Sequence, residues 1–180
     1  MNSFSITELG LPGVLLITPT VHRDERGFSA TVYETQEFAT LGITAEFVQD
    51  YVSYSKKNVI RGFHFQHAPH TQDKLVRCAT GRVFDVALDH NPASPTFGTH
   101  ISVELDAHKG EMLFIPGHYA HGFCVLSDED ALVEYKLGGA YHPESASGVR
   151  WNDPLFAVNW PISSPILSEQ DKTWPLLSSV

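Results

Sequence analysis

Apolar and polar residues alternate along much of this chain. In Val83-Phe84-Asp85-Val86-Ala87-Leu88-Asp89, the side chains of Phe84, Val86 and Leu88 share one face of an extended segment, and Asp85 and Asp89 share the other. Met112-Leu113-Phe114-Ile115 and Gly122-Phe123-Cys124-Val125-Leu126 read in the same way. Turn signals separate these runs: Gly81, Asn91-Pro92, Ser94-Pro95, Pro116-Gly117, Gly138-Gly139 and His142-Pro143. Many short strands at this spacing predict an all-β sandwich or barrel. One short helix is expected over Thr35 to Leu41, capped by Thr35 and stopped by Gly42. Near the C-terminus Pro154, Pro161, Pro165 and Pro175 predict an irregular tail wrapped over the barrel, with a helical turn near Ser168. No repeat, linker or low-complexity stretch interrupts the pattern, so residues 1–180 read as one domain.

Composition narrows the function classes. With 12 Lys+Arg against 21 Asp+Glu, the net charge is −9, and no basic patch recommends a nucleic-acid partner. A few local cations still suffice to hold a diphosphate. Cys78 and Cys124 sit inside apolar runs and read as buried free thiols in a reducing compartment. Met1-Asn2-Ser3-Phe4 lacks a basic region followed by an apolar stretch, so no signal peptide is expected. Nothing approaches a membrane span. The expected setting is the cytoplasm, with no membrane partner.

The candidate chemistry is spread along the chain. Pro116-Gly117-His118-Tyr119-Ala120-His121-Gly122-Phe123 resembles the second motif of the cupins, in which a Pro-Gly turn leads a histidine into a double-stranded β-helix barrel. His64 lies on a strand-like segment, Asn58 to Gln66. As a general base it needs a carbon acid within hydrogen-bond reach, and a carboxylate on its other ring nitrogen to fix the tautomer. Lys74 opens an apolar strand; it reads either as a solvated strand end or as an ammonium that stabilises an enolate oxygen. Arg61 could share that task or grip phosphate oxygens bidentately. Tyr135 is either a tethered core tyrosine or a proton donor on the face opposite His64. A catalytic metal is disfavoured. Metal-binding cupins use two histidines one residue apart and then a glutamate, whereas Gln66 stands two after His64 and only His121 fits the pattern. The other histidines, His67, His70 and His118 among them, read as loop residues. A metal-dependent cupin oxygenase and a non-catalytic sugar-binding cupin remain as alternatives.

Joint motifs carry more than any single residue. Asp24-Glu25-Arg26-Gly27-Phe28, Phe47-Val48-Gln49-Asp50, the run from Ser55 to Gln66 and Lys74-Leu75-Val76-Arg77-Cys78 resemble the dTDP-4-dehydrorhamnose 3,5-epimerase family. So do Ser94-Pro95-Thr96-Phe97-Gly98, Ala120-His121-Gly122-Phe123, Trp151-Asn152-Asp153 and Leu167-Ser168-Glu169-Gln170-Asp171. The resemblance covers nearly the whole chain in order. It implies a cupin-type jelly roll with a few short helices, a homodimer in which the N-terminal segment crosses to the partner, and no metal or other cofactor. It implies epimerisation at C3, C5 or both of a nucleotide-linked 4-keto-6-deoxyhexose; an enzyme acting at one carbon, or on a different nucleotide sugar, is the alternative. By position, it implies His64 as base, Asp171 as its carboxylate partner, Tyr135 as proton donor and Lys74 beside the C4 carbonyl. Arg26 and Arg61 match arginines that bind the diphosphate or line the site, and Gln49 and His121 match pocket residues. The departures cluster: Thr31, Tyr51, Ala140, Ala146 and Gln170 replace a glutamate, an asparagine, a stacking aromatic, an acidic residue and a lysine. Tyr51 or Tyr141 could supply the missing ring.

Overall fold

The computed structural model describes residues 3–177; Met1 and Asn2, which open the segment read as lacking a leader, lie outside it. The elements in chain order are β1 (Phe4–Glu8), β2 (Leu15–Pro19), β3 (His22–Asp24), β4 (Gly27–Ser29), α1 (Thr35–Thr40), β5 (Gln49–Ser55), β6 (Ile60–Gln66), β7 (Asp73–Thr80), β8 (Arg82–Leu88), β9 (His100–Asp106), β10 (Met112–Ile115), β11 (Ala120–Val125), β12 (Ala131–Gly138), β13 (Ala146–Gly148) and α2 (Glu169–Thr173). They form a six-stranded sheet, β1-β2-β10-β7-β12-β5, and a five-stranded sheet, β13-β6-β11-β8-β9. β3 and β4 make a separate hairpin. The two sheets face each other as the expected cupin-type jelly roll.

The inner faces supply one core: Val76 and Cys78 from β7, Val83 and Ala87 from β8, Phe123 and Val125 from β11, Val133 and Tyr135 from β12. Each sheet is also covered outside. Phe38 of α1, with Ile43, packs on Ile17, Leu75, Met112 and Phe114. The tail residues Phe156, Leu155 and Trp160 pack on Phe63, Val86 and Leu88. This double cover explains why every residue of β10 and of β11 is buried. The expected half-exposed alternation therefore fails there, because strands buried on both faces read as continuous apolar runs. In β8 the parity holds, but the face bearing Asp85 is the barrel interior rather than solvent, and Asp85 is fully buried.

Two local expectations meet different outcomes. The helix α1 is capped by Glu34, not by Thr35: Glu34 is extended (φ −148°, ψ 119°) and its carboxylate accepts from the Glu37 N–H at 2.7 Å. Thr35 is already in the first turn. At the other end Gly42, at φ +84°, takes the chain out of the helix. α2 forms where a helical turn was expected, with the Ser168 hydroxyl accepting from the Asp171 N–H at 3.0 Å. Both cysteines are free and buried. Among the described residues, no helix is long and apolar enough to cross a membrane.

Candidate active site

A cleft of about 510 Å³ opens between the two sheets. From the six-stranded sheet, β5 supplies Gln49, Tyr51 and Ser53, β7 supplies Lys74, and β12 supplies Tyr135 and Leu137. From the five-stranded sheet, β6 supplies Arg61 and His64, and β11 supplies His121. Tyr141, Ala146, Gln170 and Trp174 close the sides.

Arg61 and His64 differ by three positions, so a regular strand would point them to opposite faces. Both line the cleft because the β6–β11 pairing slips. His121 pairs with His64 and Phe123 with Arg61, so three steps on β6 match two on β11. Glycines make the slip possible. Gly62 has φ +134°, and a Cβ there would lie 2.5 Å from the Gly122 Cα. A Cβ on Gly122 would meet the Arg61 carbonyl oxygen at 2.8 Å. Only two glycines allow the strands this approach.

His64 Nε2 lies 2.6 Å from an Asp171 carboxylate oxygen. The histidine side chain is 46% exposed to the cleft side and that of Asp171 is 4% exposed. Burial acts to raise the Asp171 carboxyl, but the bond and charge of His64, aided by Ser168 and Trp174, hold it below the usual range. The pair leaves Nδ1 as the ring nitrogen not bonded to Asp171. α2 is held in place by Trp174, whose ring packs on Gly148: a Cβ at that glycine would come within 2.4 Å of the indole.

Across the cleft, Tyr135 and Lys74 are both buried. Burial, together with the Asp85 carboxylate, holds the Tyr135 phenol above its ordinary value. Burial pushes the Lys74 ammonium down to about 8, against the partial opposition of Asp73 and Asp85. Behind them, His121 Nε2 lies 2.8 Å from a carboxylate oxygen of Asp85. The other Asp85 oxygen is buried without a hydrogen-bond partner among the described residues. Arg61 is oriented by Nε donating to the Ser55 hydroxyl at 2.8 Å and by a terminal nitrogen donating to the Tyr54 carbonyl at 3.2 Å.

The cleft thus collects His64, Asp171, Lys74, Tyr135, Arg61, Gln49, His121, Tyr51 and Tyr141, with Asp171 seated behind His64 rather than on the lining. Arg26 stands apart. It sits on the exposed β3–β4 hairpin, paired with Asp24, and does not line the cleft of its own chain. Of the departing positions, Tyr51, Ala146 and Gln170 line the cleft, whereas Thr31 and Ala140 do not. Sequence reasoning passed over Trp174, Ser53 and Gln72 as cleft residues. Asp85, a polar residue in an apolar strand, and His121 were each visible in the sequence, but their pairing was not.

Comparison with known proteins shows the family of the chain. A family model described as dTDP-4-dehydrorhamnose 3,5-epimerase matches residues 8–179. The dTDP-4-dehydrorhamnose 3,5-epimerase of Salmonella typhimurium (strain LT2) is 47% identical over 174 residues, covering 96% of this chain and 94% of that one. The crystal structure of dTDP-6-deoxy-D-glucose-3,5-epimerase from Legionella pneumophila in complex with dTDP-4-keto-L-rhamnose matches with a TM-score of 0.92 at 40% identity, covering 97% of this chain and 93% of that one. That of dTDP-4-dehydrorhamnose 3,5-epimerase from Bacillus anthracis with TDP and PPi bound also gives 0.92 at 40% identity, covering 96% and 99%. This chain is a member of the dTDP-4-dehydrorhamnose 3,5-epimerase family and, with it, an isomerase of the carbohydrate epimerase class.

Proposed function

We propose that this enzyme inverts C3 and C5 of a dTDP-linked 4-keto-6-deoxyhexose by removing and returning the proton next to the C4 carbonyl. The observation that carries this reading is the opposition of His64 and Tyr135 across one cleft, with Lys74 between the sheets. His64 Nδ1 takes the proton while Nε2–H donates to Asp171, which stabilises the imidazolium formed. The C–H electron pair moves into the ring and leaves negative charge on the C4 oxygen. Lys74 stabilises that enolate, and a preorganised ammonium in a dry site supplies about 3–4 kcal/mol to such a step. Tyr135, kept protonated by burial, donates to the opposite face of the carbon; the His64 imidazolium then releases its proton to solvent and Tyr135 regains one from it, which resets both groups. The enolate collapses to the ketone with the carbon inverted. Arg61 and Gln49 are the candidate polar contacts to the substrate, His121 supports the pocket floor, and Tyr51 and Tyr141, both exposed at the mouth, offer rings for a base.

The reading extends to a cytoplasmic homodimer. β5 is an edge strand, with Val48 just before it and Val52 and Tyr54 on it all exposed. Phe28 and Arg26 are exposed on the hairpin. Pairing of two chains along this side would cover the apolar edge and carry Arg26 of one chain toward the diphosphate of the other. A monodisperse monomer by light scattering would refute the pairing.

The reaction is tested by incubating the enzyme with dTDP-4-keto-6-deoxyglucose in D2O and following the sugar by NMR. Deuterium at C3 and C5 together with inverted stereochemistry is expected. Exchange at one carbon alone would assign a monofunctional epimerase, and no exchange at either would overturn the reading.

A further inference from the structure

Two loops beside the cleft bring His70, His142 and Glu144 together. His70 lies between β6 and β7; His142 and Glu144 lie between β12 and β13. The two imidazole rings stack, with centroids 3.8 Å apart and planes at 24°. His142 Nδ1 lies 3.0 Å from a carboxylate oxygen of Glu144. One ligand atom from each residue falls within 4.8 Å of the other two.

The backbone beneath this cluster is fixed by one buried side chain. Gln66 Nε2 donates to the His70 carbonyl at 2.6 Å and to the Ala140 carbonyl at 3.2 Å, while Gln66 Oε1 accepts from the His142 N–H at 2.6 Å. A single amide therefore sets the spacing of both histidines. The N–H of Ser145 donates to the His142 carbonyl at 2.9 Å, closing the turn that holds Glu144 beside the His142 ring.

We propose that His70, His142 and Glu144 are the ligands of a divalent transition-metal ion of the zinc class, at a site separate from the His64 and His121 side chains of the cleft. Two imidazoles and one carboxylate suit zinc, nickel or copper, whereas magnesium and calcium favour all-oxygen shells. Zinc bonds of about 2.0–2.1 Å in a tetrahedron place the ligand atoms about 3.3 Å apart. The His142 Nδ1–Glu144 pair, at 3.0 Å, is already near that spacing; the two stacked imidazoles must turn out of their parallel arrangement for both in-plane lone pairs to meet one ion, and neither ring is buried against that turn. Water completes the shell. The ion would tie the β6–β7 loop to the β12–β13 loop, and Tyr141, next to His142, lines the cleft on that second loop.

The full-length protein, treated with chelator, can be titrated with Zn2+ by calorimetry alongside His70→Ala, His142→Ala and Glu144→Gln. One ion per chain is expected. Affinity should fall at least about tenfold in each variant, since removing an outer-shell partner alone costs 10–100-fold. Zn2+ should also slow amide exchange over residues 139–145 in the wild type and not in His142→Ala. No saturable Zn2+ binding to the wild type, undiminished binding in both histidine variants, or exchange that ignores Zn2+ would overturn the proposal. Glu144→Gln changes an exposed side chain, so it remains informative if a histidine variant folds poorly.

Discussion

Lys74 carries opposite consequences for stability and for catalysis, and Lys74→Met should separate them. Its ammonium is buried, and its only hydrogen bond among those described is a long one of 3.4 Å to the Gln72 carbonyl. Burial moves the group from 10.5 to about 8, a gap worth about 3 kcal/mol against the folded state at neutral pH. The sign follows from proton counts. Between about pH 8 and 10.5 the unfolded chain binds this proton and the folded chain does not, so the penalty is full below 8 and is released as pH rises through that window. Cys78 and Cys124 act the other way, because burial pushes their thiols up to about 11 and about 12 and folding then loses stability as the unfolded thiols ionise. The difference between variant and wild type isolates the lysine. Methionine fills similar volume without charge, so the variant should gain about 1–3 kcal/mol at pH 7, less than the full gap because Asp85 loses a nearby cation. The gain should fade by pH 10.5. Its kcat should drop about 100- to 1000-fold, and wild-type kcat/KM should decline above about pH 8 as the ammonium is lost. Urea denaturation at several pH values, paired with turnover, reads both. A variant no more stable than wild type at pH 7, with parallel curves up to pH 10.5, would refute the burial argument.

Other consequences are as specific. Tyr135→Phe should retain deuterium exchange while net inversion falls about 100-fold or more, as NMR of the recovered sugar would reveal; unimpaired inversion would transfer the donor role to water. Gly148→Ala should push Trp174 away, because its new methyl group would start 2.4 Å from the indole. Overpacking of this kind costs about 1–3 kcal/mol, and because Trp174 ends α2 the displacement should loosen Asp171 from His64 and cut activity; a wild-type melting temperature and rate would contradict this. Side-by-side calorimetry with dTDP, UDP, CDP and GDP should find nucleoside diphosphate binding with a preference for dTDP that Tyr51→Ala or Tyr141→Ala weakens, since base stacking is worth about 1–3 kcal/mol per ring; unchanged affinity in both variants would remove these rings from base recognition.

Much of the barrel could be read from alternation and turn residues, because strands and turns are governed by near neighbours. What escaped was set by groups distant in sequence. Asp85 lies on the polar face of its strand, yet only closure of the second sheet turns that face into the interior and pairs it with His121. Nothing local in Arg61-Gly62-Phe63-His64 says that residues of opposite parity will share a cleft. That depends on Gly122 in another strand. The Thr35 cap fails because Glu34 has the extended backbone of a cap and its carboxylate takes the Glu37 N–H, which leaves Thr35 inside the first turn. Asp171 was named through its motif; its meeting with His64 depends on Ser168 capping a five-residue helix and on Trp174 anchoring it to Gly148. Arg26 was named among the substrate contacts, and its distance from the cleft of its own chain is what the homodimer reading accounts for.

The central claim is that His64 takes the proton. The most direct test compares deuterium incorporation from D2O into a dTDP-linked 4-keto-6-deoxy sugar by the wild type and by His64→Ala, with folding of the variant verified by its melting curve. The account predicts exchange at C3 and C5 with the wild type and none above the uncatalysed rate with the variant. Exchange at the wild-type rate by a folded His64→Ala enzyme would contradict it.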